Sequence, residues 1–168
     1  MSNQLISSIE VKYSYLHRTI FAVIALGAGV TMPQVFHYFG LGSTFLPMFI
    51  PVLLFAAIES PLFILPVAVA VPFLSYLLTG MPLLSNAGVI AGELIVLSLT
   101  LSTLRTKVSL PVAIVTSIII NRLFAFGVAF ISGQTLLTYT GVVASYPGVI
   151  VMIGLGLLVA KFYNHQTE

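Results

Sequence analysis

The chain has 168 residues, of which 59% are hydrophobic and 6% charged, with a mean hydropathy of +1.15 and a formal net charge of +2. A soluble domain carries about 25% charged residues, so this composition excludes a water-soluble globule and fits lipid as the solvent. The six Lys and Arg are scattered, which excludes a nucleic-acid-binding stripe, and the absence of Cys excludes a disulfide framework, a thiolate metal site and a cysteine nucleophile.

A membrane-crossing helix takes about 20 mostly apolar residues. Six stretches are predicted as spans: 16–36, 45–60, 61–79, 86–104, 109–131 and 147–163. Together they make an all-α bundle and one integral membrane domain over 1–168, with no linker or internal repeat. The stretch before Leu16 is mildly polar, and the apolar run after it has no small-residue cleavage site, so the first span is read as a retained helix and not a signal peptide. The second span is short and is expected to lie obliquely or to end in a loop buried by its neighbours. Pro66 and Pro72 remove backbone hydrogen bonds inside the third, where kinks are expected. The breaks fall at His37 to Ser43, Glu59-Ser60-Pro61, Gly80-Met81-Pro82, Arg105-Thr106-Lys107, and from Ser132 to Gly148.

The positive-inside rule sets an expected orientation. With both termini in the cytoplasm, Lys12, Arg18, Arg105, Lys107 and Lys161 all fall inside, and the three outer connections hold no Lys or Arg. A missed or extra span would put Arg105 and Lys107 on the wrong side.

Three further charges need a reason. Glu59 sits at an inner turn, where a solvated interfacial charge is the simple expectation. Glu93 and Arg122 lie inside their spans, where a charge is costly and is functional by default. Glu93 is ~10 Å and Arg122 ~14 Å from the outer ends of their helices at the helical rise per residue. They therefore share a depth in the outer half of the membrane. Two readings follow: an ion pair that keeps two helices in register, or the polar part of a pocket open to the outside. The two are compatible. Asn86, Glu93 and Thr100 are spaced by seven and share a helix face, and Asn121 adjoins Arg122. His37, Asn86, Gln134, Tyr139 and Tyr146 fall at outer ends or loops, where surface decoration is the plain alternative to ligand contact. Tyr76, Tyr139 and Tyr146 would supply rings for stacking on a ligand.

Ala22, Ala25 and Gly29 form a small-residue stripe that admits a close helix, either from this chain or from a partner subunit. Gly154 and Gly156 suit close packing in the same way. No P-loop appears, so ATP is not held in the usual way, and H-E-x-x-H and G-x-S-x-G motifs are absent. His17, His37 and His165 are far apart, which speaks against a metal cluster. No set of nucleophile, base and orienting group assembles, so the chain is not read as an enzyme, and no cofactor is expected.

The stretches Phe45-Leu46-Pro47-Met48-Phe49-Ile50-Pro51-Val52-Leu53-Leu54 and Leu74-Ser75-Tyr76-Leu77-Leu78-Thr79-Gly80-Met81-Pro82 are distinctive. With Glu93 and Asn121-Arg122 they resemble the S components, or substrate-binding subunits, of energy-coupling factor (ECF) transporters. The likeness is greatest to the branch that imports vitamins and related micronutrients. The resemblance implies a six-helix bundle in a bacterial cytoplasmic membrane, crossing it several times, with substrate bound near the outer face beneath the connections after spans one and three. It implies contact between Ala22, Ala25 and Gly29 and a transmembrane coupling protein, two cytosolic ATPases as the energy source, and a subunit that topples in the membrane to release cargo. Relatives carry His where this chain has Phe49, and the nickel and cobalt members carry a metal-binding His where this chain has Ser2. A small water-soluble vitamin or precursor is therefore the expected cargo, with Glu93 accepting hydrogen bonds or balancing Arg122, and Arg122 or Asn121 donating to a carboxylate or carbonyl. The alternatives are a structural or assembly subunit, and a small intramembrane enzyme acting on a lipid precursor.

Overall fold

Proline and glycine set the limits of the helices. A computed structural model describes the backbone of residues 2–41, 45–131 and 144–164, and side chains from Tyr15 to Phe162 within those ranges. Gln134, Tyr139 and His165 lie outside the described residues. Six helices make up the described architecture: α1 (Ser2–Tyr38), α2 (Phe49–Ile58), α3 (Pro61–Thr79), α4 (Leu84–Leu104), α5 (Leu110–Ile131) and α6 (Tyr146–Asn164). Tyr15–Tyr38, α3, α4 and α5 are long and apolar enough to cross a membrane, and Phe49–Ile58 and Tyr146–Phe162 are shorter apolar helices. Leu62, Leu77, Leu123, Phe130, Ile150 and Phe162 point outward and exposed. Outward apolar side chains on span-length helices are the build of a multi-pass membrane protein.

α1 begins earlier than its apolar run predicts, at Ser2, and its 37 residues reach roughly 55 Å at the helical rise. Gly40 ends it in the left-handed region at φ 71°. The Gly40 N–H donates to the His37 carbonyl (2.9 Å) and the Leu41 N–H to the Phe36 carbonyl (2.8 Å), which satisfies carbonyls that the helix end would orphan.

α2 is shorter than expected. A 16-residue stretch was expected over 45–60, but the helix has 10 residues, about 15 Å long, half the thickness of a membrane core. Pro47 is the cause. It disfavours helical backbone at the preceding residue, and Leu46 turns to φ 48°. Pro51 falls in the first turn, where its missing N–H costs nothing. α3, by contrast, runs unbroken through Pro66 and Pro72.

α2 is the axis of the bundle. It touches α1, α3, α4 and α6, and the outer helices follow one another around it in the order α1, α3, α4, α5, α6. Eight of its ten residues are buried. Val52 and Leu53 of α2 and, around it, Ile64, Leu94, Leu97, Leu101 and Ile114 fill the interior with no solvent exposure. The small-residue stripe serves this packing. Ala25 and Gly29 are buried, and a Cβ at Gly29 would lie 2.7 Å from Val71 Cγ2 of α3. Ala22 packs on the same core. At Gly29 the close approach is thus to α3 of this chain. Gly156 of α6 likewise meets Ile114 of α5.

One end of the bundle gathers cations. Arg105, just past α4, donates from Nη1 to the Ala57 carbonyl (3.0 Å) and from Nη2 to the Glu59 carbonyl (2.7 Å), which caps the C-terminus of α2. The expectation that Glu59 is solvated is corrected here. Its side chain is only 13% exposed, with Arg18 Nε 3.7 Å away and the Arg18 guanidinium over the Phe63 ring. Arg18 is itself 44% exposed, so the pair adds little to stability.

Candidate ligand-binding cavity

A ten-residue central helix cannot fill a bundle built from span-length neighbours. Above the N-terminus of α2, at the end of the bundle away from Arg105, a cavity of about 800 Å³ remains. Small-molecule sites range over roughly 300–1,000 Å³, so its size suits a ligand with one or more rings. Each wall follows from helical spacing. α1 contributes Pro33, Gln34, His37 and Tyr38; α3 contributes Ser75 and Thr79, four apart; α4 contributes Ile90 and Glu93, three apart; α5 contributes Arg122 and Ala125, also three apart. Leu46 to Phe49 form the base, and Met81, Pro82 and the buried Ser145 complete the lining. Tyr38 and Met81 are exposed, so the cavity reaches the surface at that end.

The polar group of this cavity is compact. Arg122 Nη2 donates to Glu93 Oε2 at 3.0 Å, and the two side chains are 15% and 13% exposed. Asn121 is completely buried. With its amide turned to satisfy both ends, Asn121 Nδ2 donates to the Glu93 carbonyl oxygen (2.7 Å) and Oδ1 accepts from Arg122 Nη2 (2.9 Å). The guanidinium also lies over the Phe49 ring, with Cζ 5.3 Å from its centroid. Phe49 thus offers the cation an aromatic face. Neighbours on adjacent helices hold both charges in one geometry, which a buried pair needs to offset its desolvation.

No protein-family model, curated protein or solved structure matches the chain.

Among the residues picked out in the sequence, Glu93, Arg122, Asn121 and His37 come together in or against the cavity. Asn86, Tyr76 and Tyr146 do not line it. Asn86 shares the Glu93 face but sits two turns farther out and is exposed. Tyr76 follows Ser75 and points about 100° away from it. Tyr146 is exposed on the first turn of α6. Thr100 lies two turns below Glu93 and donates to its own helix at the Val96 carbonyl (2.7 Å).

Sequence reasoning missed the polar lining residues Gln34, Tyr38, Ser75, Thr79 and Ser145, of which Ser75 is the most telling. It lines the cavity, is 1% exposed, and its hydroxyl has no hydrogen-bond partner among the described residues. Ser98 and Ser117 also hold unpartnered hydroxyls but lie away from the cavity, in the filled part of the bundle, where small size suits packing. Nothing in the sequence separates the three. Ser75→Ala is expected to leave the unliganded melting temperature unchanged or slightly raised, because an unsatisfied buried hydroxyl contributes nothing. A ligand that fills the cavity should bind several-fold more weakly to the same variant, read by calorimetric titration. A clear loss of stability without ligand would show that the hydroxyl is structural.

Proposed function

We propose that this chain is the substrate-binding subunit of an ECF-type importer for a small water-soluble vitamin or related micronutrient. The single observation that carries this reading is a blind cavity: about 800 Å³, mostly apolar, with one ion pair in its wall and a filled core beneath it. A mostly apolar pocket with a few convergent polar groups is the build of a small-molecule site. A cavity that ends on Phe49 captures and does not conduct, so delivery requires movement of the whole subunit or help from another. The cations at the opposite end favour a cytoplasmic position for that end and an outward-facing mouth. With no P-loop in the chain, energy would come from two ATPases through a transmembrane coupling protein. On this reading the chain binds and does not catalyse.

The test is a thermal-shift screen of the purified protein in detergent against a panel of vitamins and their precursors. A ligand present at a hundred times its dissociation constant, binding only the folded form, adds about 2.7 kcal/mol. One compound is expected to raise the melting temperature clearly, and Arg122→Ala to abolish its effect. No shift from any compound, in protein shown to be folded, contradicts the proposal and favours an assembly subunit whose ion pair only joins α4 to α5.

A further inference from the structure

The charged wall of the cavity carries no net charge, and that constrains what it can hold. The contact between Glu93 and Arg122 uses one carboxylate oxygen and one guanidinium nitrogen. Glu93 Oε1 and Arg122 Nη1 and Nε make no hydrogen bond among the described residues. None of the three is a fully enclosed atom without a partner. An acceptor and a donor therefore stand side by side on the wall, each with capacity left over. Asn121 and Phe49 brace the guanidinium from two sides, which resists its swinging to a new partner. The other titratable residues that line the cavity are His37 and Tyr38, both exposed at its mouth.

An anionic ligand at this wall must either pull Arg122 away from Glu93 or sit beside a carboxylate whose compensation it then shares. Both are unfavourable where the dielectric is low. A neutral ligand meets neither cost. Building on the capture reading above, we propose that the pair stays closed when cargo binds and recognises an uncharged edge that sets an N–H beside a C=O. Cyclic amides, cyclic ureas and primary carboxamides present that edge. The N–H donates to Glu93 Oε1, and the C=O accepts from a free N–H of Arg122. The cargo class is thus a neutral, flat heterocycle or carboxamide and not a carboxylate anion.

The experiment measures affinities of the purified protein for matched probes in which the edge itself is exchanged for a carboxylate: nicotinamide and nicotinate, pyrazinamide and pyrazinoate, benzamide and benzoate. In any pair that binds, the neutral member is expected to bind at least tenfold more tightly. Glu93→Gln leaves the Arg122 cation uncompensated, so that variant should lose tenfold or more for the neutral member and gain affinity for the anion. An anionic member that binds the wild type as tightly as its neutral partner overturns this inference and leaves the capture reading standing. Absence of binding by every probe and every vitamin in the earlier panel overturns the capture reading, and the inference falls with it. The wild-type comparison needs no variant to fold.

Discussion

Arg122→Ala is expected to destabilise the protein by about 3–5 kcal/mol, the usual result of removing one partner of a buried ion pair. Glu93 is left with a carboxylate in an apolar wall, 13% exposed, and Asn121 Oδ1 loses the donor that satisfied it. The double variant Glu93→Leu/Arg122→Met should recover most of that loss, because an apolar pair of similar volume offsets the missing attraction without desolvating charge. Recovered stability does not mean recovered function. A cavity that uses the pair to hold its ligand will melt near the parent in the double variant and bind nothing. A pair that only joins α4 to α5 will leave ligand affinity intact. Thermal melts of the three proteins, with and without a stabilising compound from the panel, separate these outcomes.

Arg105→Ala is expected to cost about 2–4 kcal/mol, since it removes two hydrogen bonds from a charged donor, each worth about 1.5–3 kcal/mol and partly recovered by water. The carbonyls of Ala57 and Glu59 lie at the C-terminus of α2, where a cation also meets the negative end of the helix dipole. Arg105→Lys should recover less than half of the loss, because an ammonium lacks the planar fork that reaches both carbonyls. The effect should be felt at the far end of the bundle. α2 carries Phe49, on which the Arg122 guanidinium rests, so a loosened α2 is expected to weaken ligand binding although Arg105 is remote from the cavity. Denaturation and binding titrations of the same preparations check both parts.

Much of the fold is legible in the sequence because lipid imposes length. The third, fourth and fifth helices were expected at 61–79, 86–104 and 109–131, and the structure has Pro61–Thr79, Leu84–Leu104 and Leu110–Ile131. Apolar runs of span length, bounded by Pro, Gly or charge, leave little room for another answer. The ends of the first two helices escape that logic. Hydropathy stops near Leu16, but hydrogen bonding along a polar segment does not, so α1 continues back to Ser2. Residues 45–48 are apolar enough to read as helix, yet Pro47 keeps Leu46 out of it.

The site divides in the same manner. Glu93 and Arg122 declare themselves because charges at depth are rare and their helical positions put them level, and the two meet at 3.0 Å. Asn121 was legible only as a neighbour of Arg122; its bridging role depends on where its side chain turns. Ser75 was illegible, because the lack of a partner is a property of space and not of sequence. Glu59 was misjudged for a related reason: a helix-end charge is usually wet, but this one is 13% exposed with Arg18 beside it. The stripe at Ala22, Ala25 and Gly29 announces a close neighbour without saying which, and α3 supplies it at Gly29.

The central claim is that the cavity opens to the outside and holds a ligand, and cysteine labelling tests it directly. The chain contains no Cys, so any introduced thiol is unique. Ile90 lines the cavity and is half-buried, whereas Ser98 is 1% exposed in the filled part of the same helix. In intact cells a membrane-impermeant maleimide should label Ile90→Cys, should label it more slowly when the stabilising compound is added, and should leave Ser98→Cys unmodified. Labelling of Ile90→Cys only after the cytoplasmic face is exposed, or at a rate that no panel compound changes, would contradict the account.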